Sequence, residues 1–112
     1  MDVIIKKSEA KEPYSFTFVN DDGLKIVKSE NYSAKRSALN GIESVKKNCT
    51  IDNRYEMKES KNGKYYFNLK ASNGQIIATS HLFESETERN DAIEQLKQQA
   101  PEAMENELTP EA

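Results

Sequence analysis

The sequence predicts an α+β domain of two layers, a single antiparallel sheet of about six strands with two helices on one face. One observation is an internal duplication. Phe16 and Phe67, Gly23 and Gly74, Ile26 and Ile77, Ser29 and Ser80, Ile42 and Ile93, Glu43 and Glu94, and Lys46 and Lys97 all match at a constant offset of 51 residues (67 minus 16, and so on). A fixed period of that length marks a duplicated supersecondary unit. The other is a change of hydrophobic period within each copy, from three short stretches of period two to one of helical period, which reads as β-β-β-α. The copies span residues 1–50 and 51–100 of one domain, 1–100. A single copy has too little core to stand alone, so the two are expected to pool their strands in one sheet about a pseudo-twofold axis.

In the first copy, residues 3–7 form the opening strand. Residues 8–13 form a hairpin loop in which Pro13 cannot donate a ladder hydrogen bond. Tyr14, Phe16 and Phe18 then line the inward face of a second strand, Asp22-Gly23 turns the chain, and residues 24–28 return. A helix over residues 34–48 follows, because Ala38, Ile42, Val45 and Cys49 fall on one stripe at spacings of four, three and four. Ser33 is its candidate cap, although the position three residues on is Arg36 rather than an acid.

The second copy repeats the plan. Tyr55 and Met57 alternate with Arg54, Glu56 and Lys58, the signature of a half-buried strand. Asn62-Gly63 and Asn73-Gly74 are hairpin signals, since both residue types tolerate positive φ. Between them Tyr65, Phe67, Leu69 and Ala71 share one face, and Tyr66, Asn68 and Lys70 the other. Residues 75–79 make the third strand. The helix over residues 86–99 carries Ala92, Ile93 and Leu96, with Ala100 just beyond it, and Ser85 with Glu88 forms a capping box. The first helix is basic (Lys35, Arg36, Lys46, Lys47) and the second acidic (Glu86, Glu88, Asp91, Glu94), which favours their lying side by side at 0 to about 1 kcal/mol per exposed pair.

Residues 101–112 contain Glu102, Glu105, Glu107 and Glu111 and no aromatic side chain, and are expected to be an acidic, flexible C-terminal tail. Without those four charges the net charge of -3 becomes +1 (-3 plus 4). A nearly neutral domain argues against a strong polyanion binder. The hydrophobic share of 36% against a charged share of 31% suits a thin domain with a large solvated surface. Cys49 is the one cysteine, so no internal disulfide can form. The start does not read as a signal peptide, no apolar run reaches the roughly 20 residues that span a bilayer, and the expected location is the cytoplasm, with no membrane partner.

The run Gly63-Lys64-Tyr65-Tyr66-Phe67-Asn68-Leu69-Lys70-Ala71-Ser72-Asn73-Gly74-Gln75-Ile76-Ile77 with Ser80 resembles the YegP-like family of small bacterial proteins. So do Ser29-Glu30-Asn31-Tyr32-Ser33 and Gly41-Ile42-Glu43-Ser44-Val45-Lys46 in the first copy. The resemblance covers residues 2–100 and implies one antiparallel sheet built from two β3αβ-type motifs that exchange a strand, here residues 54–59. That family has no established biochemical function, so the resemblance transfers no catalytic residue. Two places depart from its pattern: Val19-Asn20-Asp21-Asp22-Gly23 in the first copy, and Ala92-Ile93-Glu94-Gln95-Leu96, where the family has Gly-Ile-x-Ser-Val.

No catalytic, cofactor or metal constellation stands out. His81, the one histidine, has Ser80 as its neighbour, and adjacent residues of an extended chain point to opposite sides. Cys49 reads as a small core residue. Asp21-Asp22-Gly23 lacks the spacing of a calcium loop and reads as a turn, and Glu84, Glu86 and Glu88 complement the start of the second helix. The candidate binding face is Tyr66, Asn68 and Lys70, with Lys58 beside them, against Ser15, Thr17 and Val19 in the first copy. The expected function is therefore that of a small non-enzymatic binding or accessory module. It would act through the open sheet face or an edge strand, with a protein partner or a second copy added by strand pairing. The alternative is weak single-stranded nucleic-acid binding through Tyr66 and Lys70, the less favoured partner given the charge.

Overall fold

Alternation of apolar and polar residues places the strands within a residue or two of those expectations. The computed structural model describes residues 1–108. Its elements are β1 (Asp2–Lys7), β2 (Tyr14–Val19), β3 (Lys25–Ser29), α1 (Lys35–Asn48), β4 (Tyr55–Glu59), β5 (Tyr65–Lys70), β6 (Ile76–Ser80), α2 (Glu86–Gln99) and β7 (Met104–Leu108), with short 3-10 turns at Asp52–Arg54 and Ala100–Glu102. The strands all lie in one sheet of order β4-β5-β6-β3-β2-β1-β7.

Each half keeps three consecutive antiparallel strands, and the antiparallel β3–β6 pair joins the halves. The chain leaving β3 at the centre must reach β4 at the far edge. It does so through α1, which packs on β5 and β6 as well as on β2. The strand after the first helix is thus delivered to the other half, where it pairs with β5.

The three short turns have one construction. In each, a glycine at positive φ (Gly23 at 85°, Gly63 at 76°, Gly74 at 86°) is the left-handed residue, and among the described residues no other residue type has positive φ. Asn62 and Asn73 therefore do not share the left-handed role expected of an Asn-Gly pair. Ser60 N–H donates to the Lys64 carbonyl and Gly63 N–H to the Ser60 carbonyl, a longer turn closed by a left-handed glycine. Polar side chains support it: Asn20 Oδ1 accepts from Asp22 N–H at 3.0 Å and Leu24 N–H at 2.9 Å, and Ser60 Oγ accepts from Lys64 N–H at 3.1 Å.

The core lies between the sheet and the helices. Phe16, Phe18, Ile26, Phe67, Leu69 and Ile77 from the strands meet Ala38, Ile42, Val45 and Cys49 from the first stripe and Ala92, Ile93, Leu96 and Ala100 from the second, all buried. Burying each large apolar side chain contributes about 1.5–3 kcal/mol. The α2 cap forms as its sequence suggests, with Ser85 Oγ accepting from Glu88 N–H at 3.1 Å; the Glu88 carboxylate, however, accepts from Glu84 N–H rather than from Ser85. Ser33 does not cap α1: the N-cap is Ala34, with no side-chain hydrogen bond.

The two-layer sheet of about six strands expected from the sequence is present, and among the described residues it gains a seventh, β7, which runs parallel to β1 with Asp2 opposite Met104 and Lys6 opposite Leu108, so the sheet is mostly antiparallel. The acidic segment after Pro101 is accordingly a strand over residues 104–108 rather than a flexible tail. Backbone pairing to the edge of β1 needs no apolar side chains, and Lys46 Nζ reaches from α1 to the Ala103 carbonyl (3.1 Å) and to Glu105 (3.4 Å). The rest of that tail, 109–112, lies outside the described residues.

Candidate functional site

On the face away from the helices, strand register lines up one residue from each of the strands β1 to β6. Ile4 opposes Thr17, Thr17 opposes Lys28, Lys28 opposes Thr79, Thr79 opposes Asn68, and Asn68 opposes Glu56. In the second half this row is a connected polar array. Thr79 Oγ1 donates to Asn68 Oδ1 at 2.9 Å, Asn68 Nδ2 donates to Glu56 Oε1 at 3.1 Å, and Lys70 Nζ donates to Glu56 Oε2 at 2.8 Å. Lys58 Nζ stands 3.8 Å from Glu56. The Lys70 and Asn68 hydrogen bonds hold the Glu56 carboxyl below its ordinary pKa.

The three residues singled out in the sequence therefore have different roles. Asn68, 7% exposed, is the relay of the array. Lys70 is half-buried and ion-paired, placed just after a β-bulge between Leu69 and Lys70. Tyr66 is half-buried opposite Lys58. Beside the array a shallow hollow of about 440 Å³ is lined by Lys28, Ser29, Glu30, Asn31, Thr79 and Ser80. Glu56 and Thr79 are the members that residue-type reasoning missed. Their signal was the hairpin register, which sets Glu56 against Asn68.

The other reactive types are engaged elsewhere. Ser80 Oγ accepts from Phe67 N–H at 2.9 Å and donates to the His81 carbonyl at 2.8 Å, and Ser29 does the same for Phe16 and Glu30 at 2.9 and 2.7 Å. His81 is exposed, its ring edge-on to Phe83 at 5.3 Å. Cys49 is fully buried, and desolvation pushes its thiol up to about 11. Burial also raises the Tyr55 phenol, whose hydroxyl donates to the Cys49 carbonyl. Among the described residues no group of His, Cys, Asp or Glu side chains is disposed to hold a metal ion, and no helix is long and apolar enough to cross a membrane.

This architecture has relatives. The domain of unknown function DUF1508 matches twice, at residues 10–56 and 60–105. The chain belongs to the DUF1508 family. The DUF1508 boundaries place each copy as two strands, a helix and the start of the following strand, so β4 closes the first copy while pairing in the second half. Among relatives, a UPF0339 protein of Acinetobacter baylyi is 47% identical over 103 residues, 91% of this chain and 93% of that one. UPF0339 protein YegP of Escherichia coli is 42% identical over 84 residues, 75% and 76% of the two chains. The solution NMR structure of YegP from E. coli superposes with a TM-score of 0.90 at 34% identity, covering 99% of this chain and 95% of that one. That of a UPF0339 protein from Shewanella oneidensis gives 0.89 at 37%, covering 96% and 91%. The DUF1508 fold, tandem and α+β, is thus the one the YegP-like resemblance implied, and the family's biochemical function is unknown.

Proposed function

We propose that the chain is a non-enzymatic binding module whose docking surface is the uncovered sheet face of its second half. The observation that supports this is the Thr79–Asn68–Glu56–Lys70 array, whose side chains are already held in place by one another. Groups fixed before a partner arrives lose little conformational entropy on binding. Tyr66 and Lys58 add an aromatic surface and a cation at the rim of this array. The fit is to a partner that presents hydrogen-bonding groups beside a flat apolar one.

The non-enzymatic reading is supported by the commitments of the reactive groups. Ser80 has both its donor and an acceptor site in use on the backbone, so it is no nucleophile for His81. A cytoplasmic setting is part of the same reading, supported by the lone, buried Cys49.

Single-stranded nucleic acid is the second reading, because Tyr66 offers a stacking surface on an open sheet. Against it, the Lys70 charge is neutralised by Glu56. Binding isotherms with single-stranded RNA at two salt concentrations separate the two readings, since phosphate contacts weaken steeply with salt. The module reading predicts no salt-sensitive binding. It also predicts that a partner captured and identified with the intact protein is lost from Tyr66→Ala and Lys70→Glu; if both variants bind it as before, the open face is not the site.

A further inference from the structure

The two edges of the sheet are not alike. The outer side of β1 is covered by β7, whereas β4, which occupies the corresponding place at the other end, has no neighbour beyond it among the described residues. Phe67 directs its N–H to Ser80 on the β6 side, and Met57 faces Phe67 across the β4–β5 ladder. In an antiparallel ladder bonded and non-bonded pairs alternate. Met57, and with it Tyr55 and Glu59, therefore points its backbone N–H and C=O outward from the sheet edge. The Met57 side chain, 55% exposed, is among the most exposed large apolar groups of the described residues.

We propose that β4 pairs with β4 of a second copy, antiparallel and centred on Met57, giving a symmetric dimer with one continuous sheet. Charge complementarity on β4 itself selects this occupant and this register. With Met57 opposite Met57, Glu56 of each copy opposes Lys58 of the other, twice over, on the open face. On the helix face the two exposed methionines cover one another. Centring the pair one residue earlier opposes Glu56 to Glu56, and one residue later opposes Lys58 to Lys58. Like charges directly opposed are destabilising and opposite ones stabilising, so one register stands out. At the far edge the exposed carboxylate of Glu105 on β7 disfavours the same self-pairing there. The assembly accordingly closes as a dimer instead of extending into a filament. The inference does not depend on what the open face binds.

An interface of one short strand from each copy is smaller than a standard one, so the dimer is weak and concentration-dependent. Sedimentation equilibrium on the full chain, up to ~1 mM, is expected to show monomer passing to dimer. Over the same range exchange of the Met57 amide is expected to slow. Lys58→Glu turns both cross-strand attractions into repulsions and is expected to weaken the dimer at least about tenfold. Met57→Asp does the same by opposing two carboxylates, and Lys28→Ala, on β3 at the centre of the sheet, leaves the dimer unchanged. A parent protein that stays monomeric throughout, or a Met57 amide whose exchange is indifferent to concentration, overturns the proposal. So does a dimer that survives both edge substitutions with its amide spectrum intact.

Discussion

Lys28 and Thr79 oppose one another at the centre of the β3–β6 ladder, and they are also 51 residues apart (79 minus 28). Each is thus the other's counterpart in the duplication, and the pseudo-twofold axis passes between them. The flanking pairs, Val27 with Ser80 and Ser29 with Ala78, exchange under the same operation. So do the bridges Tyr14–Tyr32 and Tyr65–Phe83 and the bulges at Phe18/Val19 and Leu69/Lys70. The axis relates backbones, whereas the side chains on it, a cation and a hydroxyl, differ.

Equivalent serines should be equivalent in energy. Ser29→Ala and Ser80→Ala each leave a buried backbone N–H, of Phe16 or Phe67, without its acceptor. Each is expected to cost about 1–3 kcal/mol in urea denaturation, with the two costs similar. A large cost at one position and none at the other contradicts the shared construction.

Gly41 in the first copy stands where the second has Ala92, and the reason is the residue beside it. A Cβ on Gly41 would lie 2.7 Å from Tyr32 Oη and 2.8 Å from Phe16, while the counterpart of Tyr32 is Phe83, which lacks the hydroxyl. Gly41→Ala is expected to destabilise by about 1–3 kcal/mol from overpacking, less the helix-propensity gain of up to about 1 kcal/mol. Adding Tyr32→Phe should recover part of the loss in a double-mutant cycle. Independent effects of the two substitutions would show that the hydroxyl is not what excludes a methyl group there.

Glu56 links pH to the polar array. Its carboxyl is held below the ordinary 4.5 in the folded chain, first by Lys70 and then by Asn68. Its stabilising contribution is therefore fully present above pH 4.5 and is lost as pH falls through the lower folded-state value. Carboxyl carbon chemical shifts followed by NMR should titrate below the ordinary range, and Lys70→Ala should move the midpoint up. An ordinary midpoint in the parent protein would mean that Lys70 does not hold Glu56 in solution.

Cys49 should be silent toward thiol reagents in the native state. Its sulfur is fully buried, donates to the Lys46 carbonyl at 3.4 Å, and has its pKa pushed up to about 11. Iodoacetamide labelling at neutral pH is expected to be slow when folded and rapid in urea. Fast labelling without denaturant would place the thiol at the surface.

Much of this was legible in residue order. The helical stripes ending at Cys49 and Ala100 were visible because a buried face imposes its period on the chain, and the glycine turns because only glycine adopts positive φ without strain. Two things were hidden. β7 was concealed by its composition, since Met104-Glu105-Asn106-Glu107-Leu108 pairs through its backbone on an edge supplied by the other end of the chain. The Glu56 array was concealed by the turn. A two-residue Asn62-Gly63 turn would set Glu56 against Leu69, while the longer turn sets it against Asn68, and a one-residue slip changes which side chains share a face. Tyr66, Asn68 and Lys70 could be assigned to one face from alternation alone; that Lys70 is neutralised there could not.

The shared sheet is tested most directly by proton contacts across its centre. His81 N–H donates to the Ile26 carbonyl, which makes Val27–Ser80 and Ser29–Ala78 the non-bonded pairs of the ladder, where opposing Cα atoms approach most closely. NOE spectra of the full chain should contain strong Hα–Hα peaks for both pairs, with similar intensity. Absence of both, or a register in which Lys28 faces a residue other than Thr79, would contradict a single sheet built around one axis.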